Sequence, residues 1–395
     1  MATSDTVHAA IPARAAAAAE PRNLALDGFR GLMTLFVLVS HYLGEVPHGQ
    51  PVFAVGWIAV VAFFVLSGFL VGRLILEKQD RANFFVVFYM RRACRTLPVY
   101  FVCVIVVFAA IRLFSHAPWL DAPVEFPLWS YLTFTQNALI AMTGVNGAHW
   151  LAPTWTLAVE EQFYLVTPVL FFIVPRHRLP YVLGAGLVFS ILYRAAAIQT
   201  GFVPDIAVAV LLPGVADTLI CGLLAALLIK SNLVDFKRYD VAFRLAPLAL
   251  IYLVIVPSLF DGPRHELLRV IGVPLIAIAS AILMINLARG VPEASRLTSK
   301  VLCFFGRTSY TVYLTHLAVL GMMHGLILGG QPDIANPAQL AVTLAAMPVA
   351  ILVGWLGTLL VEQPIIAYGR SWTWSRARRP LRAPEGDMVA GAVAA

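Results

Sequence analysis

Residues Leu26–Glu45 read LDGFRGLMTLFVLVSHYLGE, and the fold follows from what these positions can tolerate. A helix needs roughly 20 largely apolar residues to cross a bilayer. This stretch meets that length, yet it carries Arg30 and His41. A charged group in hydrocarbon costs at least about 2.5–3.5 kcal/mol on insertion scales, so it needs a partner or a task. The two residues stand eleven positions apart, about 16 Å along a helix. Eleven steps of about 100° return almost to the same bearing, so both side chains share one face.

The rest of the chain repeats the pattern. Of 395 residues, 60% are hydrophobic and 12% charged, where soluble domains carry about 25% charged residues. No soluble core of this size hides so much apolar surface. The net charge of +7 is scattered between apolar runs, which fits membrane topology signals and excludes a nucleic-acid groove. Cys94, Cys103, Cys221 and Cys303 have neither CxxC nor metal-ligand spacing, so neither a disulfide nor a metal site is expected. The predicted fold is all-α and integral to the membrane, with about ten spans: 27–45, 52–76, 97–114, 155–175, 179–199, 206–229, 243–260, 268–288, 301–328 and 338–363. The stretch 130–145 is too short and too closely flanked by Pro and Gly, and reads as a re-entrant or interfacial piece. Residues 1–22 are expected to form a disordered leader, 23–368 the membrane domain, and 369–395 a basic, mostly disordered tail.

Basic residues orient the chain. With both termini cytoplasmic, all 28 Lys and Arg except Arg112, Arg194, Arg264 and Arg269 fall on the cytoplasmic side, as the positive-inside rule requires. Arg30 then lies near the cytoplasmic surface and His41 near the outer one.

Four further segments carry polar groups that an apolar bundle does not need. Ser67-Gly68 with Gly72 lets a helix or a ligand approach the second span closely. In FYMRRACRTLPVY, Arg91, Arg92 and Arg95 offer guanidiniums that clamp phosphate oxygens or anionic lipid, with Pro98 opening the next span. In PTWTLAVEEQFY, Trp155 is followed by Glu160 and Glu161, placed one to two turns from the outer surface at the depth of His41. There Glu160 is positioned to orient a basic imidazole. In FFGRTSYTVYLTH, Ser309, Tyr310, Tyr313 and His316 line a cavity or a hydrogen-bonded helix seam. Glu362 near the inner leaflet has Arg307 as an expected partner.

Taken in order, these segments resemble the acyltransferase 3 family of bacterial membrane O-acyltransferases, from about Leu26 to Pro364. The carrying patterns are Arg30-x10-His41, Ser67–Phe69, Arg91–Pro98, Trp155–Tyr164, Gly306–His316 and Glu362–Pro364. The resemblance implies a multi-pass protein of the bacterial cytoplasmic (inner) membrane, with acyl-CoA, by default acetyl-CoA, as co-substrate and no permanently bound cofactor. It makes His41 the essential residue, accompanied by Arg30, and sets the family's glutamate on Glu160. The expected acceptor is a hydroxyl of an envelope or exopolysaccharide glycan or a lipid-linked sugar, alternatively a macrolide-type secreted product, with polysaccharide-assembly proteins as candidate partners. Arg91, Arg92, Arg95 and Arg30 would hold the donor phosphates, and His41 would deprotonate the acceptor or carry the acyl group itself. A transporter or flippase, and a non-catalytic member of an assembly complex, are the readings from other classes.

Overall fold

The computed structural model describes residues 23–117, 119–120, 126–231, 233–261 and 268–376. The expectations for residues 1–22, for the end of the tail and for Arg264 fall outside them. Among the described residues there is no strand, and ten helices are long and apolar enough to cross a membrane. Their α-helical parts, which adjoining 3-10 and π turns extend in several spans, are α1 (Leu24–Val39), α2 (Gly56–Lys78), α3 (Phe84–Leu113), α4 (Trp155–Ile173), α5 (Leu179–Thr200), α6 (Leu212–Ser231), α7 (Asp240–Asp261), α8 (Val273–Arg289), α9 (Lys300–Leu328) and α10 (Pro337–Gly357). A last short helix, α11 (Gln363–Ser371), continues α10 through a π-helical turn. Large apolar side chains remain exposed along the outside, among them Ile105 and Val106 on α3 and Leu165 and Phe172 on α4. An exterior of that kind is matched to lipid, not to water.

Glycine decides which helices touch. On α1, a methyl group at Gly31 would overlap the carbonyl of Leu302, and one at Gly306 on α9 would overlap the carbonyl of Asp27. The two helices therefore cross backbone to backbone; they run parallel, since Gly28 meets Leu297 just before α9 and His41 meets His316 further along both. His41 lies ten residues beyond Gly31 and His316 ten beyond Gly306, so equal rise brings the two imidazoles level. A second such crossing joins α2 to α6, where Gly68 sits beneath the carbonyl of Leu219 and Gly222 beneath that of Val65.

Two basic residues that break the positive-inside pattern are internally paired. Arg194 on α5 lies 2.5 Å from Asp217 on α6, both buried, and also donates to the Gly214 carbonyl. Arg269 reaches the Asp205 carboxylate at 2.9 Å and its carbonyl at 2.7 Å.

Three boundaries differ from expectation. The third span begins at Phe84, with Pro98 inside the helix instead of at its start. Residues 84–96 form an amphipathic extension whose Phe84, Val87 and Phe88 are buried at helical spacing. The fourth span is led by a 3-10 turn, His149–Thr154, so it starts six residues before Trp155. The 369–376 part of the tail is packed: Trp374 stacks on Phe84, Arg91 donates to the Trp372 carbonyl, and Asn83 and Arg81 bind Thr373 and Ser375. One indole, Trp374, and a run of backbone carbonyls dock it. Segment 130–145 forms two short helices, Leu128–Leu132 and Gln136–Thr143. Gln136 and Asn137 tie them to the Thr154 and Val210 carbonyls.

Candidate active site

Two cavities open between the helices. The first, about 120 Å³, is lined by Arg30, Ser67, Arg92, Arg95, Glu160, Tyr164, Ser309 and Tyr310. Its polar groups are linked. Tyr164 Oη lies 2.6 Å from Ser67 Oγ and donates to Glu160 Oε2 at 3.3 Å. Arg92 lies over the Tyr164 ring at 5.1 Å, and Tyr310 donates to the Thr96 carbonyl at 2.7 Å. Arg30, Arg92 and Arg95 bring three guanidiniums to one cavity, an arrangement that suits a phosphate-bearing ligand.

The second cavity, about 540 Å³, lies at the opposite end of α1 and is lined by His41, Glu45, Trp57, His149, Trp150 and Trp155. α1 does not end regularly there. It passes into a π-helical turn, Ser40–Gly44, that contains His41, a distortion frequent at functional sites. His41 Nδ1 lies 2.8 Å from His316 Nε2, and His316 Nδ1 lies 2.8 Å from the Tyr313 carbonyl. A carbonyl only accepts, so His316 carries its proton on Nδ1 and accepts from His41 through Nε2. His41 must then carry its proton on Nδ1. This assignment, made from the hydrogen-bond network, leaves the Nε2 lone pair of a neutral His41 free. Glu45 Oε2 stands 3.5 Å from that nitrogen, while its other oxygen accepts from Ser40 at 2.7 Å. Tyr42 adds a bond of 2.8 Å to the His316 carbonyl.

Opposite the histidines, Trp119 and Trp150 are stacked at 6.2 Å. Each rests where a glycine of α9 leaves room, Trp150 over Gly321 and Trp119 over Gly325. At the mouth, His48 meets Asp333 at 2.8 Å and holds that carboxyl below the usual carboxylate range.

Tyr313 and Val60 face both cavities. Tyr313 Oη sits 3.0 Å from Thr156 Oγ1 and 3.3 Å from the Pro153 carbonyl, so its phenol is fastened to the start of α4.

The profile of the acyltransferase 3 family, described as an acyltransferase domain, matches residues 23–359. The chain belongs to the acyltransferase 3 family. Among its relatives, the peptidoglycan O-acetyltransferase of Listeria monocytogenes is 25% identical over 329 residues, covering 78% of this chain and 51% of that protein. A protein of Bacillus subtilis named as a candidate peptidoglycan O-acetyltransferase is 26% identical over 363 residues, covering 87% and 55%. A candidate O-acetyltransferase of Staphylococcus aureus strain COL is 25% identical over 333 residues, covering 78% and 52%. The chain thus spans about half the length of the curated relatives it matches. No solved structure gives a significant match.

Against this acyltransferase 3 frame, the residues singled out from sequence divide between the two ends. Arg30, Arg92, Arg95, Ser67, Glu160, Ser309 and Tyr310 share the first cavity, whereas His41 and Trp155 line the second and His316 is buried beside it, bonded to His41. The expected pairing of His41 with Glu160 is not formed. Because the fourth span starts at His149, Glu160 lies eleven residues inside it, deeper than His41, which is three residues from the end of its π turn. Glu45, one turn from His41, takes the place by the imidazole. Arg91 points to the Trp372 carbonyl and the Trp374 ring instead of the cavity. Gly68 serves the α2–α6 crossing. Glu161 has a buried oxygen without a hydrogen-bond partner and does not line the first cavity. Glu362 accepts from Thr311 and Thr358, while its expected partner Arg307 is exposed.

Sequence reading passed over Glu45, His149, Trp119 and Trp150. Glu45 stood in the opening stretch at i+4 from His41. The glycines at 321 and 325 marked the face that carries the indoles, but an i, i+4 glycine pair reads equally well as plain helix packing.

Proposed function

We propose that the protein is a membrane O-acyltransferase that passes an acyl group, acetyl by default, from cytoplasmic acyl-CoA to a hydroxyl of a glycan or lipid-linked sugar on the outer side. The carrying observation is the pair of cavities that meet at Tyr313, one ringed by three arginines and the other holding a histidine with a free lone pair beside tryptophans. With both ends of the bundle assigned to the cytoplasm, the arginine cavity faces the donor compartment. The phosphates of acyl-CoA sit against Arg30, Arg92 and Arg95, and the thioester extends past Tyr313. His41 Nε2 takes the proton of the acceptor hydroxyl as its oxygen attacks the thioester carbonyl. The carbon–sulfur bond then breaks, and the departing thiolate recovers the proton from the imidazolium. Glu45 stabilises that cation and His316 keeps the proton of Nδ1 in place. Tryptophan faces in the outer cavity suit the apolar faces of a sugar ring, and the names of the relatives support a glycan acceptor.

The test compares glycans and secreted small products of a deletion strain with those of its parent, complemented by wild type or His41→Ala. The proposal expects an acyl mass that disappears on deletion and returns only with His41. Its return with His41→Ala, at normal protein levels, contradicts the reading, and substrate export without any covalent product favours a transporter.

A further inference from the structure

A third cavity, about 450 Å³ and almost wholly apolar, runs along the lipid-facing side of α9 and is unused by the reaction described. Its floor is one face of α9, Thr311, Thr315, Ala318, Met322 and Met323, at the spacing of a single helical stripe. One wall is Val102, Val106 and Ala110 of α3; the other is Val349 and Val353 of α10. Short or branched side chains on both walls hold the helices apart without filling the gap, and the two methionines give the floor an adaptable surface. From Thr311 to Met322 the floor extends about 16 Å. Val102 and Val106 are exposed on the outside of the bundle, so the slot is open sideways to lipid.

Trp150 lines both this slot and the cavity of His41. One ring therefore separates an apolar channel at membrane depth from a polar, tryptophan-rich chamber at its end. We infer that the slot holds the hydrocarbon tail of an amphiphilic acceptor whose sugar head occupies the His41 chamber. The acceptor is thus a glycoside that arrives laterally from the bilayer, not a soluble sugar that enters from outside. This rests on the acyl-transfer reading and narrows its acceptor class. A tail lying along α9 fixes the head near Trp150, which lowers the entropy lost when the hydroxyl is positioned at His41.

The test uses the full chain in phosphatidylcholine nanodiscs with a dodecyl glucoside carrying a diazirine on its tail. Photolysis is expected to label peptides of α3, α9 and α10 that face the slot. Excess dodecyl glucoside should abolish the label, and dodecyl phosphocholine at equal concentration should not. Val106→Trp and Val353→Trp should each lower labelling about tenfold. Labelling elsewhere, or displacement by the sugar-free lipid or by palmitoyl-CoA as effective as by the glucoside, overturns the inference, since the slot then holds bulk lipid or the donor chain. Unchanged labelling in both variants overturns it as well. Labelling needs no turnover, so parallel acetyl-transfer assays separate a failed slot from a failed acyltransferase.

Discussion

In the proposed reaction His41 is held as a base by two bonds in series: the Tyr313 carbonyl fixes the tautomer of His316, and His316 fixes that of His41. Replacing His41 by Ala removes the base of the proposed reaction, and general-base losses run to about 10²–10⁴-fold. Purified variant enzyme should show that loss in kcat with unaltered unfolding temperature; retained turnover would remove His41 from its role. His316 acts through His41. His316→Gln keeps an acceptor for Nδ1–H and should retain far more activity than His316→Ala, which frees the ring to change tautomer. In both variants the rate should fall toward acid pH as His41 Nε2 becomes protonated, and equal activity in the two would mean that His316 only packs. At the other end, Arg92→Gln or Arg95→Gln should raise KM for acetyl-CoA with little change in KM for the acceptor. A shift in the acceptor constant alone would place the donor elsewhere.

At the scale of elements, much was legible because hydrocarbon imposes a length and an apolar composition on each helix. All ten expected spans coincide with helices, and most ends agree within a few residues. Segment 84–96 was missed because Arg91, Arg92 and Arg95 interrupt the apolar run FFVVFYM, and 149–154 because Pro153 reads as a helix start. Side-chain facing was less legible. Glu160 and His41 read as level because depth was counted from Trp155, and the Gly31–Gly306 crossing that makes His316 the true neighbour is a property of two distant segments. The buried Arg194–Asp217 pair shows the same dependence on a partner. Arg194→Met leaves Asp217 uncompensated and should cost about 3–5 kcal/mol, read as a lower unfolding temperature in nanodiscs. Arg194→Met combined with Asp217→Leu should recover much of that loss, and an unaffected single variant would mean that the pair does not brace α5 against α6.

For the whole molecule, the parallel course of α1 and α9 separates the two chemistries by the length of one helix. Arg30 and Gly306 mark one end, His41 and His316 the other, and Tyr313 stands between. In the proposed reaction this division serves a donor and an acceptor that come from opposite sides. The direct measurement is acetyl transfer in sealed vesicles with uniformly oriented protein, with radiolabelled acetyl-CoA confined to one side and an alkyl glycoside, whose sugar head does not cross the bilayer, inserted in the leaflet of the other. The account predicts labelled acceptor when acetyl-CoA is on the side of Arg30 and the acceptor on the side of His41, and none in the reverse arrangement. Transfer only when both substrates share a compartment would contradict it.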